Sequence, residues 1–355
     1  MAESFFLQWH ITARCSNRCA HCYLRDSDGY ASEIENELSR NDCLAVIDDF
    51  HQLTKDWKVK GMIGLTGGDP LLRHEIFDLV EYASQKDILV AIMGNSEHLD
   101  LKVATKLKKL GISLYQVSID GEERTHDAIR GKGSFQRTLE GIRILKQAQI
   151  PSAVMFTVSK QNADDLIPVL ELAAREGIAA FDFSRLVSIG SGSRLAGNLM
   201  EASAYRDLLS AFLARYRNLV ERGCETYFGR KDHLWKLLYC EMGLFSPAEG
   251  KGKELFEEYQ LEGCQIGKSL LVIVADGTVY PCRRLPVKIG KVPDQNLKDI
   301  FLNSPELSRM RELERMEKCG KCELLQSCRG CPAVAYAVHG DYFSPDPQCW
   351  KEERR

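Results

Sequence analysis

The sequence contains no run of roughly 18 apolar residues, which excludes a helix that crosses a bilayer. It also lacks a basic excess. Its 47 Lys and Arg stand against 50 Asp and Glu, a formal net charge of -3, so it has no electrostatic footprint of a nucleic-acid binder. The N-terminal stretch Met1-Ala-Glu-Ser-Phe-Phe6 has no basic segment leading into an apolar one, so no secretory signal is visible. No solenoid period or low-complexity tract occurs. These absences predict a cytoplasmic protein with no membrane or nucleic-acid partner. Cysteine, by contrast, is abundant: 13 in 355 residues. In a chain with no export signal, that number argues for metal or catalysis and against disulfides.

Three of the cysteines, Cys15, Cys19 and Cys22, have the spacing C-x3-C-x2-C within Thr12–Leu24, just after an apolar strand over Phe5–Ile11. Three thiolates on one loop can hold three irons of a cubane cluster and leave the fourth iron without a protein ligand. A zinc site completed by His21 is the competing reading. His21 lies between Cys19 and Cys22, however, and would struggle to join them around one small ion.

From the first strand to about residue 200 the chain alternates strand and helix. Apolar, β-rich runs recur at Gly61–Thr66, Ile88–Met93, Ile112–Ile119, Ser152–Val158 and Ala179–Val187. Helical patterns fall at Asn41–Trp57, His74–Gln85, Leu101–Leu110, Ser134–Gln149 and Ala163–Glu176. Such units build a parallel sheet with helices outside it, and right-handed crossovers curl the sheet toward a barrel. Six strands are too few to close an eight-fold barrel. The fold class is therefore α/β, a partial (β/α)6 barrel followed by a cysteine-rich C-terminal domain.

Ligands of such sheets sit at the carboxyl ends of the strands, and polar residues gather there. The second strand ends in Gly67-Gly68-Asp69-Pro70, where two glycines let a ligand approach the backbone. The third ends in Gly94-Asn95. The fourth ends in Ser118-Ile-Asp120-Gly121, followed by His126-Asp127 and Arg130-Gly131.

The C-terminal cysteines form a second array: Cys264-x12-Gly277-x4-Cys282, then Cys319-x2-Cys322-x5-Cys328-x2-Cys331, then Cys349. The segment Leu270–Cys282 reads as a hairpin with an Asp276-Gly277 turn that presents Cys282. A zinc ribbon from Cys319, Cys322, Cys328 and Cys331 is the plainer alternative, but it leaves Cys264, Cys282 and Cys349 idle. Cys43 and Cys224 read as core residues. Cys240 is either core or a further cluster ligand. Glu241 to Gly263, rich in Gly, Lys and Glu, reads as a mobile loop able to cover a cavity.

The N-terminal triad and the strand-end motifs resemble the radical SAM superfamily, and the C-terminal array resembles its SPASM extension. Here Asp69 stands where the family's Gly-Gly-Glu-Pro motif has Glu. The x2 spacing before Cys331 is shared with haem-modifying members. The resemblance covers essentially the whole chain: a barrel over 1–200, a helical bridge and loop over 201–260, and a SPASM domain over 261–355. It implies S-adenosylmethionine on the open iron and three 4Fe–4S clusters. By the same resemblance His21 is expected near the adenine, Gly67, Gly68 and Asp69 at the methionine amino group, Ser118 and Asp120 near the ribose and Arg130 near the methionine carboxylate, with Asn95, in place of the family's Asn-Gly, a further cofactor-binding residue. By the family's wiring, Cys319, Cys322, Cys328 and Cys349 hold the distal auxiliary cluster. Cys264, Cys282 and Cys331 hold the nearer one, with Cys240 a candidate fourth ligand and an iron open to substrate the alternative.

The resemblance further implies anaerobic, reductive cleavage of the cofactor, fed by an electron donor such as flavodoxin or ferredoxin. Hydrogen abstraction from a ribosomally made peptide or protein is the first reading, giving a crosslink or an oxidised side chain. Modification of tetrapyrrole side chains in haem d1 or alternative haem synthesis is the alternative, and a non-enzymatic electron-transfer protein the third. Because the chain begins almost at its first strand, recognition of a peptide leader is expected to fall to a separate leader-binding protein or to the barrel itself.

Overall fold

The computed structural model describes residues 3–246, 251–254, 257–260 and 263–352. The predicted alternation is present nearly residue for residue. Strands β1 (Ser4–Thr12), β2 (Lys60–Gly67), β3 (Leu89–Met93), β4 (Leu114–Ser118), β5 (Ser152–Val158) and β6 (Ala180–Arg185) lie side by side in chain order, and a short β7 (Tyr227–Phe228) follows β6. All these neighbours pair in parallel. Their helices start and stop where local chemistry dictates. Helix Arg40–Trp57 opens on a capping box between Ser39 and Asp42 and closes on Lys58 in the left-handed region. Its buried stripe of Cys43, Val46, Ile47, Phe50 and Leu53 has the three-to-four spacing of a helix face on a sheet. Cys43 is thus core, at 1% exposure.

The hairpin predicted at Leu270–Cys282 is there, as β11 (Leu270–Ile273) and β12 (Thr278–Tyr280), with β13 (Gly290–Lys291) beyond it. It does not stand apart in the C-terminal half. Strand β11 pairs in parallel with β1, Phe6 opposite Leu270 through Trp9 opposite Ile273. One ten-stranded sheet therefore runs β13-β12-β11-β1-β2-β3-β4-β5-β6-β7, with its two ends unpaired to each other. The barrel is open. This extension was not legible in the sequence, because register between segments some 260 residues apart leaves no local signal. Phe5, Trp57 and Phe301 seal the junction, Phe5 and Phe301 meeting edge to face with centroids 5.1 Å apart.

The stretch read as a mobile loop is partly sheet. Strands β8 (Phe245–Ser246), β9 (Lys251–Glu254) and β10 (Glu257–Gln260) form an antiparallel three-stranded sheet. Residues 247–250, 255–256 and 261–262 of that stretch lie outside the described residues. Helices Ala202–Glu221 and Trp235–Glu241 form the bridge. They pack Phe212 and Trp235 against Phe183 and Phe228 of the sheet. Among the described residues no helix is long and apolar enough to cross a membrane.

The far end of the chain is fastened to the barrel through Arg185, the last residue of β6. Its guanidinium, 1% exposed, donates to Asp232 Oδ2 (2.8 Å), to Asp346 Oδ1 and Oδ2 (2.7 and 2.8 Å) and to Gln348 Oε1 (3.1 Å). Asp346 also accepts from the backbone N–H of Cys331 (2.8 Å). Breaking a buried ion pair on one side leaves an uncompensated charge. Asp346→Ala should therefore cost about 3–5 kcal/mol, measured anaerobically from the denaturant midpoint at an unchanged slope. Asp346→Asn, which keeps an acceptor, should lose less.

Candidate active site at the carboxyl ends of the strands

The cysteine loop leaves β1 and is clamped on three sides. Gly68 and Asp69 donate their backbone N–H groups to the carbonyls of Thr12 and Arg14 (2.9 and 2.8 Å). Ala20 N–H donates to Ile129 (2.9 Å), at the end of helix Glu123–Arg130. Beyond β6, Gly192 N–H reaches the carbonyl of Cys22 (3.3 Å). The glycines read as making room for a ligand make room for the chain itself. A Cβ on Gly68 would stand 2.1 Å from Arg14 O, and one on Gly67, at φ +122°, 2.1 Å from Thr12 O. Only glycine allows that approach.

Around this loop lies an open cleft. Cys15, Cys19, His21, Cys22, Gly67, Gly68, Asn95, Ser118 and Arg130, all singled out from the sequence, line it. Asp69 and Asp120 stand just behind, each fully buried. Each triad sulfur accepts from a nitrogen on a different element. Asn95 Nδ2 donates to Cys15 Sγ (3.7 Å), Arg130 Nη1 to Cys19 Sγ (3.8 Å) and the backbone N–H of Arg25 to Cys22 Sγ (3.4 Å).

Asp120 is the hub of the wall beside the triad. One oxygen, Oδ2, accepts from Arg130 Nε and meets His21 Nε2 at 2.7 Å. The other accepts from Thr157 N–H at 2.7 Å. Burial alone would push this carboxyl up, but the Arg130 guanidinium and His21 hold it far below the usual carboxylate range. That contact fixes the orientation of the His21 ring. Asp69 differs. Its Oδ1 caps the turn Pro70–Leu72 by accepting from Leu71 N–H (3.1 Å), while Oδ2 is buried without a hydrogen bond among the described residues, with His98 Nε2 at 3.9 Å. Burial raises this carboxyl to about 6.

The C-terminal cysteines fall into two groups by their electrostatic neighbours. Cys319 is influenced by Cys349 and Cys322, and Cys328 by Cys349 and Cys319. Cys331 is influenced by Cys264, and both Cys331 and Cys282 neighbour Arg284. Cys240 was weighed as the fourth ligand of the nearer set. Its neighbours are instead Lys351, Glu323, Glu241 and Cys322, on the side of the distal set. The bridge helix that carries it runs past that set.

These residues suit iron–sulfur clusters better than single ions. All thirteen cysteines are free thiols. Among the described residues no three His, Cys, Asp or Glu side chains converge on a point fit for one ion, which a zinc ribbon requires. Burial pushes Cys15 up to about 11 and Cys328 above its usual range, so loading must displace protons from the thiols. The orphaned Asp69 Oδ2, buried just behind the cleft wall, is a ready acceptor for a cationic group such as an α-amine.

Part of the cleft lining is not legible in the sequence. Tyr23, Arg185, Arg283 and Arg284 also line the cleft. The pair Arg283-Arg284 directly follows Cys282, and that adjacency was the available signal.

A radical SAM superfamily model matches residues 9–173, and a model of the SPASM iron–sulfur cluster-binding domain matches 264–332. The chain is 30% identical over 351 residues to an AdoMet-dependent heme synthase of Methanosarcina barkeri, covering 97% of this chain and 95% of that protein. It is 28% identical over 353 residues to a mycofactocin maturase of Mycolicibacterium smegmatis, covering 97% and 82%. Among solved structures, Streptococcus suis SuiB bound to its precursor peptide SuiA superposes with a TM-score of 0.76 at 17% identity, covering 98% of this chain and 76% of that one. That last likeness is one of fold.

The raised carboxyl of Asp69 gives a pH test. Its acidity is weakened by folding, so its ionisation opposes the folded state above about pH 6 and ceases to do so as the pH falls toward 4. In protein without S-adenosylmethionine, Asp69→Asn, which keeps the cap, should stabilise at pH 7.5 by up to about 3 kcal/mol. At pH 4.5 the gain should shrink toward zero in paired denaturation curves.

Proposed function

The chain belongs to the radical SAM superfamily and ends in a SPASM iron–sulfur domain, and on that premise we propose that it is a radical enzyme acting on the side chains of a tetrapyrrole. The observation that carries this reading is the haem-synthase likeness, 30% identical across 97% of the chain. It reverses the order in which the sequence alone favoured peptide and tetrapyrrole. Modification of a peptide remains the second reading, favoured by the mycofactocin-maturase likeness over the same span. Residues 1–200 form the barrel, 201–260 the bridge and 261–355 the SPASM domain. The setting is cytoplasmic and anaerobic, with a small redox protein such as flavodoxin or ferredoxin as electron donor.

In this reading Cys15, Cys19 and Cys22 hold one 4Fe–4S cluster with an open iron. Bound there, the cluster and S-adenosylmethionine supply a 5′-deoxyadenosyl radical able to take hydrogen from an unactivated carbon. The chain's own residues do the rest. Asp69 offers its unpartnered oxygen to the methionine amine, and Arg130 its remaining N–H groups to the carboxylate. His21, fixed by Asp120, presents a flat ring to the adenine, and Ser118 lies by the ribose. The strand ends fix the distance to the substrate carbon. Cys319, Cys322, Cys328 and Cys349 hold one auxiliary cluster and Cys264, Cys282 and Cys331 the other, whose fourth iron has no cysteine within this arrangement.

Anaerobically reconstituted protein should hold about twelve irons. Replacing Cys15, Cys19 and Cys22 by alanine should lower that to about eight and abolish dithionite-driven formation of 5′-deoxyadenosine. Stoichiometric zinc without charge-transfer absorption would overturn the assignment. Cys240→Ala should leave the iron content unchanged, since that thiol stands apart from the nearer set.

A further inference from the structure

We propose that Arg283 is the anchor for a carboxylate of the substrate, at the wall of the cleft that faces the radical site. This rests on the tetrapyrrole reading and names the chemistry by which that site would hold its ligand.

Arg283 follows Cys282 in the turn after β12, closed by a hydrogen bond from Leu285 N–H to Cys282 O (3.0 Å). It is half-buried and lines the same cleft as the triad. The other deep arginines of the cleft are occupied. Arg185 is paired with Asp232 and Asp346, and Arg130 with Asp120. Arg284 donates to the carbonyl of Arg185 (3.1 Å) and lies beside Cys331 and Cys282. Arg283 has no carboxylate partner among the described residues. Its guanidinium stands 5.8 Å from the ring centre of Tyr23, and its charge is felt by His10, Tyr23 and Lys231, none of them an anion at neutral pH.

A half-buried guanidinium left with an aromatic face and another cation is under-compensated. Its planar fork matches a carboxylate in bidentate geometry. The strand ends and the segment after β6 contribute Met93, Met155, Leu186 and Val187 to the same cleft, an apolar surface suited to a flat hydrophobic body. A ligand with such a body and carboxylates at its edge satisfies both surfaces together. A tetrapyrrole bearing propionates has that form, and an acidic peptide shares only the carboxylate.

The test uses the full-length, anaerobically reconstituted protein, with iron and sulfide content measured for every variant to verify that the cluster beside Cys282 is intact. Iron coproporphyrin III and its tetramethyl ester are titrated by visible absorption against wild type, Arg283→Gln and Arg283→Lys. An acidic decapeptide and its amidated, Gln-for-Glu counterpart are titrated by calorimetry. Wild type should bind the free-acid porphyrin more tightly than the ester. Arg283→Gln should weaken free-acid binding about tenfold to a hundredfold and leave the ester unaffected, and Arg283→Lys should recover most of the loss. If Arg283→Gln binds the acid as wild type does, or if wild type binds none of the probes, the anchor is wrong. If only the acidic peptide binds and its binding needs Arg283, the anchor stands and the tetrapyrrole reading falls.

Discussion

Arg185 is the constraint around which the two halves are organised. It ends β6, so its backbone faces the cleft, while its side chain reaches into the C-terminal half. There it joins Asp232 of the bridge to Asp346 and Gln348 of the tail. Asp346 receives Cys331 N–H, and Gln348 Nε2 reaches back to the carbonyl of Met200 (3.2 Å). A buried ion network of this kind is poor evidence for net stability, because desolvation offsets most of the Coulombic gain. What it provides is geometry. The segments carrying Cys331 and Cys349 can take one position relative to the strand ends, and any slip leaves a buried charge unpaired.

The cysteine loop is governed by a similar logic of close approach. Its carbonyls accept from Gly68, Asp69 and Gly192, three donors brought together by β2 and by the segment after β6. Arg73, buried, adds donors to Ile11 O (3.3 Å) and Leu38 O (2.6 Å), fixing the exit of β1. A loop that must present three thiols needs no helix or strand of its own, because the barrel's carboxyl edge supplies the donors. Its position therefore depends on glycine at 67 and 68 more than on any side chain.

Much of this was legible before any coordinates. Strand–helix alternation is a strong local pattern, so β1 to β6 and their helices were placed almost to the residue. The residues named at strand ends do meet in one cleft. What was missed is long-range or context-dependent. The pairing of β11 with β1 depends on a register between distant segments. The helix Glu123–Arg130 is not among the helical patterns of the sequence, because its buried face is only His126 and Ile129. At Gly67 and Gly68 the sequence shows that a close approach occurs but not that the cysteine loop's own carbonyls are among what approaches. That Cys240 neighbours Cys322 is likewise not legible, because the path of the bridge helix has no sequence signature.

The charge distribution makes a last point about how so many thiols share one fold. Buried thiolates require compensation, and here cations stand beside the thiols of every set. Arg130 serves Cys19, Arg284 serves Cys331 and Cys282, and Lys236, 3% exposed, stands between Cys328 and Cys264. Lys318 neighbours Cys349, its Nζ donating to that residue's carbonyl at 3.2 Å. A net charge of -3 therefore conceals a strongly sorted interior: cations beside sulfur, and aspartates behind the cations. Arg283 departs from this pattern. Among the described residues it has no carboxylate partner, unlike Arg185 and Arg130. An arginine at the wall of a cleft, with no carboxylate partner among the described residues, is matched to something that arrives from outside.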